Sequence, residues 1–185
     1  MLILASNSPR RKELITEYIT SDFLIIPSTS EESFDTSKSI EDNITRIAYS
    51  KGEQVFKSHP NDIVISADTM VIFNNKVYGK PKDKADARRM LEELSDNEHF
   101  VLTAYTIFKG NNVISKIVKS IVKFKPLSSS YIDKYIASNS PLDKAGAYGI
   151  QDELMKDKIE YYKGSLSNII GLPIEDIKKD LEGLK

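Results

Sequence analysis

The sequence predicts an α/β protein built around a mixed β-sheet with flanking helices. Short apolar segments that are typical of buried strands alternate with segments in which apolar residues recur at helical spacing. Two longer apolar segments, 100–108 and 113–124, flank Gly110-Asn111-Asn112 and interrupt this alternation as a β-hairpin would. Alternating strands and helices favour parallel pairing and a hairpin adds antiparallel pairing, so we expect both kinds in one sheet.

Three strands and three helices are predicted before the hairpin. The strands are 2–5, 23–26 and 62–73, and the helices are 9–19, 39–57 and 84–94. The first helix begins at Pro9, which suits the first helical position, directly after Ser8, a favourable N-cap residue. A polar loop, 27–38, separates the second strand from the second helix. The strand 62–73 is apolar on both faces, which is typical of a central strand.

After the hairpin the pattern returns to helices, one glycine-containing loop and one strand. In chain order these are a helix at 128–138, a loop at 143–151, a strand at 159–162 and a helix at 174–184. No internal repeat or low-complexity linker divides the chain, so we expect a single domain spanning residues 1–185.

Composition excludes several classes of protein. The chain has 185 residues with 26 basic and 27 acidic side chains, and this balance does not favour the broad basic face that a nucleic-acid backbone requires. It contains no cysteine, which excludes disulfides and thiolate metal sites. No apolar run approaches membrane-spanning length, and the basic residues near the N-terminus follow the apolar start. We therefore expect a cytoplasmic protein with no membrane segment and no nucleic-acid partner.

The first chemical signal is Ser6-Asn7-Ser8-Pro9-Arg10-Arg11, which joins a strand to a helix. Two arginines in the first turn oppose the positive end of the helix dipole, and a bound anion would reverse that cost. Backbone N–H groups, the hydroxyls of Ser6 and Ser8, and the guanidinium groups of Arg10 and Arg11 together predict a phosphate site. The alternative is a capped surface helix with solvated arginines.

The second signal is Lys51, which interrupts the apolar face of the helix 39–57 one turn after Ile47 and one turn before Val55. A lysine at such a position must contact a carboxylate or a phosphate, or extend its ammonium group to water.

The third and strongest signal is Asp68, a carboxylate within the apolar run of 63–72. A charge on a central strand is costly unless it is paired or bound to a metal, so Asp68 is a candidate general base or metal ligand. The alternative is that the strand breaks at Ser66 and that Asp68 caps a turn.

Three further positions are weak when taken alone. Lys80 lies on a constrained loop between Gly79 and Pro81, where an ordinary surface turn is the simpler interpretation. Gln151 ends the glycine-containing loop 143–151, whose glycines would allow a ligand to approach the backbone closely. Glu31 lies in the polar loop and would ordinarily be exposed.

Taken together, these segments resemble the Maf-like nucleotide pyrophosphatases, also called septum formation proteins, over nearly the whole chain. The matching blocks are Leu4-Ala5-Ser6-Asn7-Ser8-Pro9-Arg10-Arg11, Glu31-Glu32-Ser33, Lys51, Ala67-Asp68-Thr69, Gly79-Lys80-Pro81, His99-Phe100-Val101-Leu102-Thr103, 143–151, Gly164-Ser165 and Gly171-Leu172-Pro173. The resemblance implies an elongated α/β fold related to inosine triphosphate pyrophosphatases, with a cleft between two lobes. It also implies a divalent metal, Mg²⁺ or Mn²⁺, and a homodimer.

The resemblance further implies roles for individual residues. Asp68 would accept a proton from water and bind the metal, and Glu31 would lie near the same metal. The residues that would line the phosphate site are Ser6, Arg11, Lys51 and Lys80. Water would attack the α-phosphorus of a nucleoside triphosphate, and Lys51, Lys80 and Arg11 would stabilise the developing charge.

Three positions resemble the branch of the family that prefers dTTP and UTP. These are Arg10, Thr69 and Gln151, where the 7-methyl-GTP branch usually carries an aromatic residue, glutamine and glutamate. Gln151 offers both a donor and an acceptor, as a thymine or uracil edge requires. The chain departs from the family at Asp96, Ala104 and Asp152, where glycine is usual, and Asp152 lies directly beside Gln151. Two alternatives remain open: a nucleotide-binding regulator of septum formation that acts by protein contact, and a pyrophosphatase for non-standard purine nucleotides.

Overall fold

A computed structural model describes residues 1–30 and 32–184 of the chain. The seven strands are β1 (Leu2–Leu4), β2 (Leu24–Ile25), β3 (Ile63–Phe73), β4 (Lys76–Tyr78), β5 (Glu98–Lys109), β6 (Asn112–Phe124) and β7 (Ile159–Lys163). The seven helices are α1 (Pro9–Tyr18), α2 (Ile40–Ser58), α3 (Lys84–Leu94), α4 (Ser129–Ala137), α5 (Glu153–Lys156), α6 (Leu166–Ile170) and α7 (Ile174–Gly183). Within these described ranges, no helix combines the length and the apolar character that crossing a membrane would need.

The sheet is mixed, as the sequence predicts. Its order is β2-β1-β3-β5-β6-β7, and β4 pairs with β3 beside this path. β1 is parallel to both β2 and β3, with Leu4 opposite Ile25 on one side and Ile65 on the other. β3 and β4 are antiparallel, and so are β6 and β7. Parallel pairs joined through helices and antiparallel pairs therefore share one sheet, which confirms the predicted α/β class.

Every predicted strand and helix is present, with ends that differ by at most two residues. The N-cap predicted at Ser8 is confirmed, since its hydroxyl accepts a hydrogen bond from the backbone N–H of Arg11 at 3.5 Å. Three short elements were not predicted: β4, α5 and α6. β4 follows Asn74 and Asn75, whose φ angles of 48° and 58° form the kind of tight turn that joins two antiparallel strands.

The chain divides into two compact units, and β3, β5 and β6 contribute residues to both. The first unit comprises the described residues of Met1–Thr69, Thr103–Val118 and Gly171–Lys185. One of its apolar clusters packs β1 against α2 and β5 and contains Ile3, Ala5, Val55, Val64 and Phe108.

The C-terminal helix of the first unit is anchored by a buried carboxylate. Asp180 on α7 accepts hydrogen bonds from the Tyr105 hydroxyl at 2.6 Å and from the Lys116 ammonium at 2.5 Å. Burial raises the pKa of Asp180, but these two hydrogen bonds lower it by more than burial raises it. The pKa of Asp180 is therefore below its ordinary value.

The second unit comprises Met70–Leu102 and Lys119–Ile170. Its apolar core joins α3 and α4 to the ends of β5 and β6, and includes Leu91, Leu94, Phe124 and Tyr135, all fully buried. α3 buries one face, on which the apolar residues Ala87, Met90, Leu91 and Leu94 recur at helical spacing and lie in this core.

Candidate functional site

The predicted catalytic residues of the first unit lie where β1, β3 and α2 meet. β3 runs without interruption from Ile63 to Phe73, so the alternative of a break at Ser66 is wrong. The Ser66 side chain is fully buried, and its hydroxyl donates to the carbonyl of Ala48 on α2 at 2.7 Å. A buried serine is tolerated inside the strand because that carbonyl satisfies its hydroxyl.

The same contact brings α2 close to β3 at Gly52. A Cβ atom at this position would lie 2.4 Å from Oγ of Ser66 and 2.5 Å from Cε2 of Phe108, so only glycine allows this approach. Lys51 precedes Gly52 on α2, and Asp68 lies two residues after Ser66 on β3. The close approach of the helix therefore places the lysine within reach of the aspartate.

Lys51 contacts two carboxylates. Its ammonium nitrogen lies 2.8 Å from Oδ1 of Asp68 and 2.7 Å from Oε1 of Glu32. The side chains of Lys51 and Asp68 are each 13% exposed, whereas that of Glu32 is 58% exposed. Of the predicted alternatives, the structure thus shows contact with carboxylates. The charge of Arg11 acts on the same two carboxylates, so two acidic and two basic groups balance one another here.

The acidic residue that the sequence singled out in this loop is Glu31, which lies outside the described residues. Its neighbour Glu32 was not singled out, although it contacts Lys51. Among the residues that the structure describes, no three His, Asp or Glu side chains form a metal-binding group. Asp68 and Glu32 still supply carboxylate oxygens at one point, and Mg²⁺ is often held by one or two carboxylates together with substrate phosphates. This pair therefore fits a divalent ion that binds with its substrate.

Arg11 is buried in the first unit and holds three segments together. Its Nε donates to the carbonyl of Gly171 at 2.8 Å and its Nη1 to the carbonyl of Ala67 at 2.8 Å. Nη1 also donates to Oγ of Ser6 at 3.3 Å, and Nη2 donates to Oγ1 of Thr69 at 3.0 Å. These contacts tie the end of β1, the middle of β3 and the turn before α7 to the first turn of α1.

The electrostatic environment of Arg11 combines two opposing effects. Burial lowers the pKa of its guanidinium group, and the nearby charge of Asp68 opposes that shift. A buried arginine beside a carboxylate stays charged and adds to the positive end of α1. Ser8 lies at the same helix start, with its backbone N–H donating to Oγ of Ser6 at 3.2 Å. Arg10, the next predicted phosphate ligand, is half-buried.

Thr69 has its hydroxyl engaged within the protein. Oγ1 accepts from Arg11, lies 3.0 Å from Oγ1 of Thr103 and can donate more weakly to the carbonyl of Gly171 at 3.4 Å. Thr103 is fully buried on β5 and entered the sequence analysis only as part of a matching block. Thr103 alternates with apolar residues in the sequence, and this pattern did not predict its contact with Thr69, the residue after Asp68.

Two predicted site residues, Lys80 and Gln151, belong to the second unit. Lys80 is exposed and follows Gly79, whose carbonyl accepts from the backbone N–H of Gly146 at 3.1 Å. Gln151 is also exposed and lines a cavity of about 660 Å³. The remaining predicted residues that the structure describes, namely Ser6, Ser8, Arg10, Arg11, Lys51, Asp68 and Thr69, all belong to the first unit.

Comparison with known proteins gives one family. The family model described as "Maf-like protein" matches residues 1–184. A protein of Halalkalibacterium halodurans is 38% identical over 173 residues, covering 94% of this chain and 90% of its own length. One of Pyrococcus furiosus is 39% identical, covering 98% and 94%, and one of Clostridium botulinum strain Kyoto is 40% identical, covering 97% and 95%. All three are named dTTP/UTP pyrophosphatase.

A solved structure shows the same fold. The Ham1 protein of Staphylococcus aureus superposes with a TM-score of 0.51 over 100% of this chain and 99% of its own, at 16% sequence identity.

Proposed function

Since the chain belongs to the Maf-like protein family, we propose that it is a pyrophosphatase that hydrolyses dTTP and UTP to the nucleoside monophosphate and pyrophosphate. Relatives with that name are 38–40% identical over almost the whole chain. The observation that carries the proposal is the contact of Asp68 with Lys51, because it places a carboxylate base beside a cation that can bind phosphate.

The reaction needs one nucleophile, one base and compensation for negative charge. Water forms a bond to the α-phosphorus, the bond from that phosphorus to the bridging oxygen of the β-phosphate breaks, and pyrophosphate leaves. Asp68 takes the proton that the water loses. Lys51 turns from its carboxylate partners toward the phosphate oxygens and stabilises the charge that develops on them. Lys80 is proposed, from the resemblance alone, as a further phosphate-binding cation.

The first turn of α1 is proposed to bind the polyphosphate chain. Backbone N–H groups and the hydroxyls of Ser6 and Ser8 lie at the positive end of this helix, together with Arg10. The guanidinium group of Arg11 is already bonded to two carbonyl oxygens and two hydroxyls, so Arg11 contributes its positive charge from within the protein. Its main role is then to hold Ser6 and the strand that carries Asp68 in place.

A divalent ion, Mg²⁺ or Mn²⁺, is proposed as the cofactor. Asp68 and Glu32 would hold it, and Glu31 is an additional candidate ligand. When bound, the ion would neutralise phosphate oxygens and make the attacking water more acidic. The support is the donor set itself, which consists of carboxylate oxygens as hard cations prefer.

Thymine and uracil are proposed to be recognised by Gln151, and the resemblance implies that Thr69 and Arg10 also affect the choice of base. A glutamine amide can donate to a base carbonyl and accept from the N3–H of thymine or uracil. A polar site of this kind rejects a base that leaves its buried groups unpaired.

We also propose that the protein acts in the cytoplasm as a homodimer. The support for self-association is the resemblance stated above, together with Tyr161 and Tyr162 on β7, which are 37% and 44% exposed. Light scattering during size-exclusion chromatography tests this, and a single species with the mass of one chain would contradict it.

The chemical step is tested by turnover in ¹⁸O-labelled water with UTP and Mg²⁺. Attack at the α-phosphorus places the label in UMP and none in pyrophosphate, whereas attack at the β-phosphorus places it in pyrophosphate. Excess chelator should stop the reaction, and added Mg²⁺ should restore it. Tight binding of UTP without turnover would instead support a nucleotide-binding regulator.

A further inference from the structure

Asp152 follows Gln151 and closes the loop on which Gln151 lies. The backbone N–H of Asp152 donates to the carbonyl of Gly149 at 3.0 Å, and its own carbonyl accepts from the backbone N–H of Met155 at 2.8 Å. Asp152 is thus the N-cap residue of α5 and the last residue of the loop.

The side chain of Asp152 does not cap its own helix. An aspartate at this position commonly accepts from the backbone N–H groups of the first helical turn, but no such bond forms here. Instead Oδ2 accepts hydrogen bonds from the hydroxyls of Tyr135 and Ser140, the latter at 2.8 Å. The ammonium group of Lys144 lies 3.9 Å from the same oxygen. The carboxylate therefore points toward Tyr135 and Ser140 of the second unit.

Tyr135 connects this carboxylate to the loop backbone. It is fully buried on α4, and its hydroxyl accepts from the backbone N–H of Gly149 at 3.0 Å while donating to Asp152. Lys144, itself only 9% exposed, donates to the carbonyl of Ser140 at 2.6 Å and to the hydroxyl of Ser140 at 3.0 Å. Residues on both sides of the loop thus meet at one carboxylate.

Gly149 is fitted to this arrangement. A Cβ atom there would lie 2.9 Å from Oδ1 of Asp152 and 2.8 Å from Cε of Lys144. The glycine is needed because the aspartate and the lysine occupy the space beside it. Asp152 thus belongs to a hydrogen-bonded polar cluster that comprises Tyr135, Ser140, Lys144, Gly149 and Asp152.

The cluster bears on base recognition through Gln151. A glutamine amide matches uracil in one orientation and cytosine in the flipped one, because the flip exchanges its donor and its acceptor. Discrimination between these bases therefore requires that the loop hold the glutamine in one place. Gln151 lies between the backbone of Ile150 and the anchored Asp152, and both Ile150 and Gln151 line the cavity of about 660 Å³.

We propose that Asp152 is a positioning residue that, in this chain, maintains the preference for thymine and uracil by fixing the loop that carries Gln151. This inference rests on the proposed function, and in particular on recognition of the base by Gln151. It assigns a role to a position where the resembling family usually has glycine.

The test compares Asp152→Gly, Asp152→Asn and Tyr135→Phe in steady-state assays with UTP, dTTP and CTP. Asp152→Gly should raise KM for UTP and dTTP about tenfold with little change in kcat, because a displaced recognition group weakens binding while the catalytic carboxylate is untouched. The preference for UTP over CTP should fall by a similar factor. Tyr135→Phe should act in the same direction.

Asp152→Asn is the rescue variant, because its amide oxygen can still accept from Tyr135 and Ser140. It should keep the wild-type KM and the wild-type preference. Asp157→Gly is the matched control, since it replaces an exposed aspartate at the end of α5. Thermal melts accompany each variant, so that a change in kinetics is not confused with loss of fold.

The outcomes separate the two levels of the claim. If Gln151→Ala abolishes the preference for UTP over CTP but Asp152→Gly leaves it intact, the role of Asp152 is overturned and the proposed function stands. Equal loss of kcat for all three nucleotides in Asp152→Gly would also overturn it, since that result indicates a general structural role. A wild-type protein that hydrolyses all three nucleotides equally would overturn the role of Asp152 alone, and a wild-type protein without turnover would overturn both.

Discussion

Lys51 interrupts an apolar helix face, and at the scale of single residues its surroundings explain why. Its position in the stripe predicted that its ammonium group contacts a carboxylate, a phosphate or water, and it contacts Asp68 and Glu32. The sequence could not identify Glu32, because adjacent acids in a polar loop have no periodicity that separates the inward from the outward side chain. Arg11 is a similar case. Its motif predicted a phosphate ligand, but only coordinates reveal bonds to carbonyls distant in sequence, such as that of Gly171.

Replacing the proposed base tests the chemistry at the same scale. Asp68→Asn keeps the shape of the side chain and its contact with Lys51 but cannot accept the proton from water. We expect kcat to fall about 10²–10⁴-fold while UTP binding is retained, the usual loss when a general base is removed. Rapid-quench kinetics and equilibrium titration measure the two quantities. A variant with near-normal kcat would remove Asp68 from the mechanism.

Replacing the lysine tests the ion pair. The apolar stripe alone predicts that methionine is tolerated at position 51, whereas the contact with Asp68 predicts a cost, because a largely buried carboxylate loses its partner. We expect Lys51→Met to lower the free energy of unfolding by about 1–3 kcal/mol and to lower kcat/KM for UTP. Urea denaturation provides the stability value.

The double variant Lys51→Met/Asp68→Asn is the control for this interpretation. Removing the orphaned charge should recover part of the lost stability without restoring activity. If the single variant is as stable as the wild type, the ion pair contributes nothing to folding.

At the scale of elements, the strands and helices with long periodic patterns were predictable. α3 was predicted with its observed ends, Lys84–Leu94, because its apolar face is regular, and the structure adds that Asp83 caps the helix. β4 and α6 have only 3 and 5 residues, too few for a period to emerge. The continuity of β3 through Ser66 depends on a hydrogen bond to α2, which no local pattern contains.

The glycines of the loop 143–151 illustrate a limit of local interpretation. They were expected to admit a ligand close to the backbone. Instead, a Cβ at Gly146, where φ is +70°, would lie 2.9 Å from Cγ2 of Val71, and Gly149 fits against Asp152 and Lys144. A glycine signals close approach, but the sequence does not say whether protein or ligand approaches.

The aromatic cluster at the start of β5 yields a prediction about pH. His99 is 1% exposed, its Nε2 lies 2.7 Å from the Tyr148 hydroxyl, and its Nδ1 has no hydrogen-bond partner among the described residues. Burial lowers the pKa of His99 from 6.5 to about 3. Between pH 6.5 and about 3, the unfolded chain binds a proton at His99 that the native protein does not bind. The stability that neutral His99 allows is therefore fully present above pH 6.5 and is lost as the pH falls below it.

His99 should therefore make the free energy of unfolding fall by up to about 1.4 kcal/mol per pH unit below the ordinary pKa of histidine. His99→Phe, which can pack against Phe124 and Tyr148, should remove this contribution. Urea denaturation of both proteins at pH 7.5 and 5.0 measures the difference. Parallel pH dependence in wild type and variant would show that His99 is protonated in the native state.

At the scale of the whole molecule, the nearly balanced charge disfavours a long polyanion as a ligand but allows a small one. A net charge of −1 gives no broad attraction to a polyanion, yet the start of α1, Lys51 and Arg11 gather positive groups in one small region. A triphosphate needs only such a region. The family model covers residues 1–184 and therefore includes residues of both compact units.

The proposal that the protein is a pyrimidine nucleoside triphosphate pyrophosphatase can be tested by one kinetic assay over a panel of nucleotides. The purified protein is given dTTP, UTP, CTP, GTP, ITP and 7-methyl-GTP in turn with Mg²⁺, and kcat/KM is measured while pyrophosphate and orthophosphate are quantified separately. We predict that dTTP and UTP have the highest values and that each turnover yields one pyrophosphate and no orthophosphate. A purine nucleotide at the head of the ranking, or orthophosphate as the product, would contradict the account.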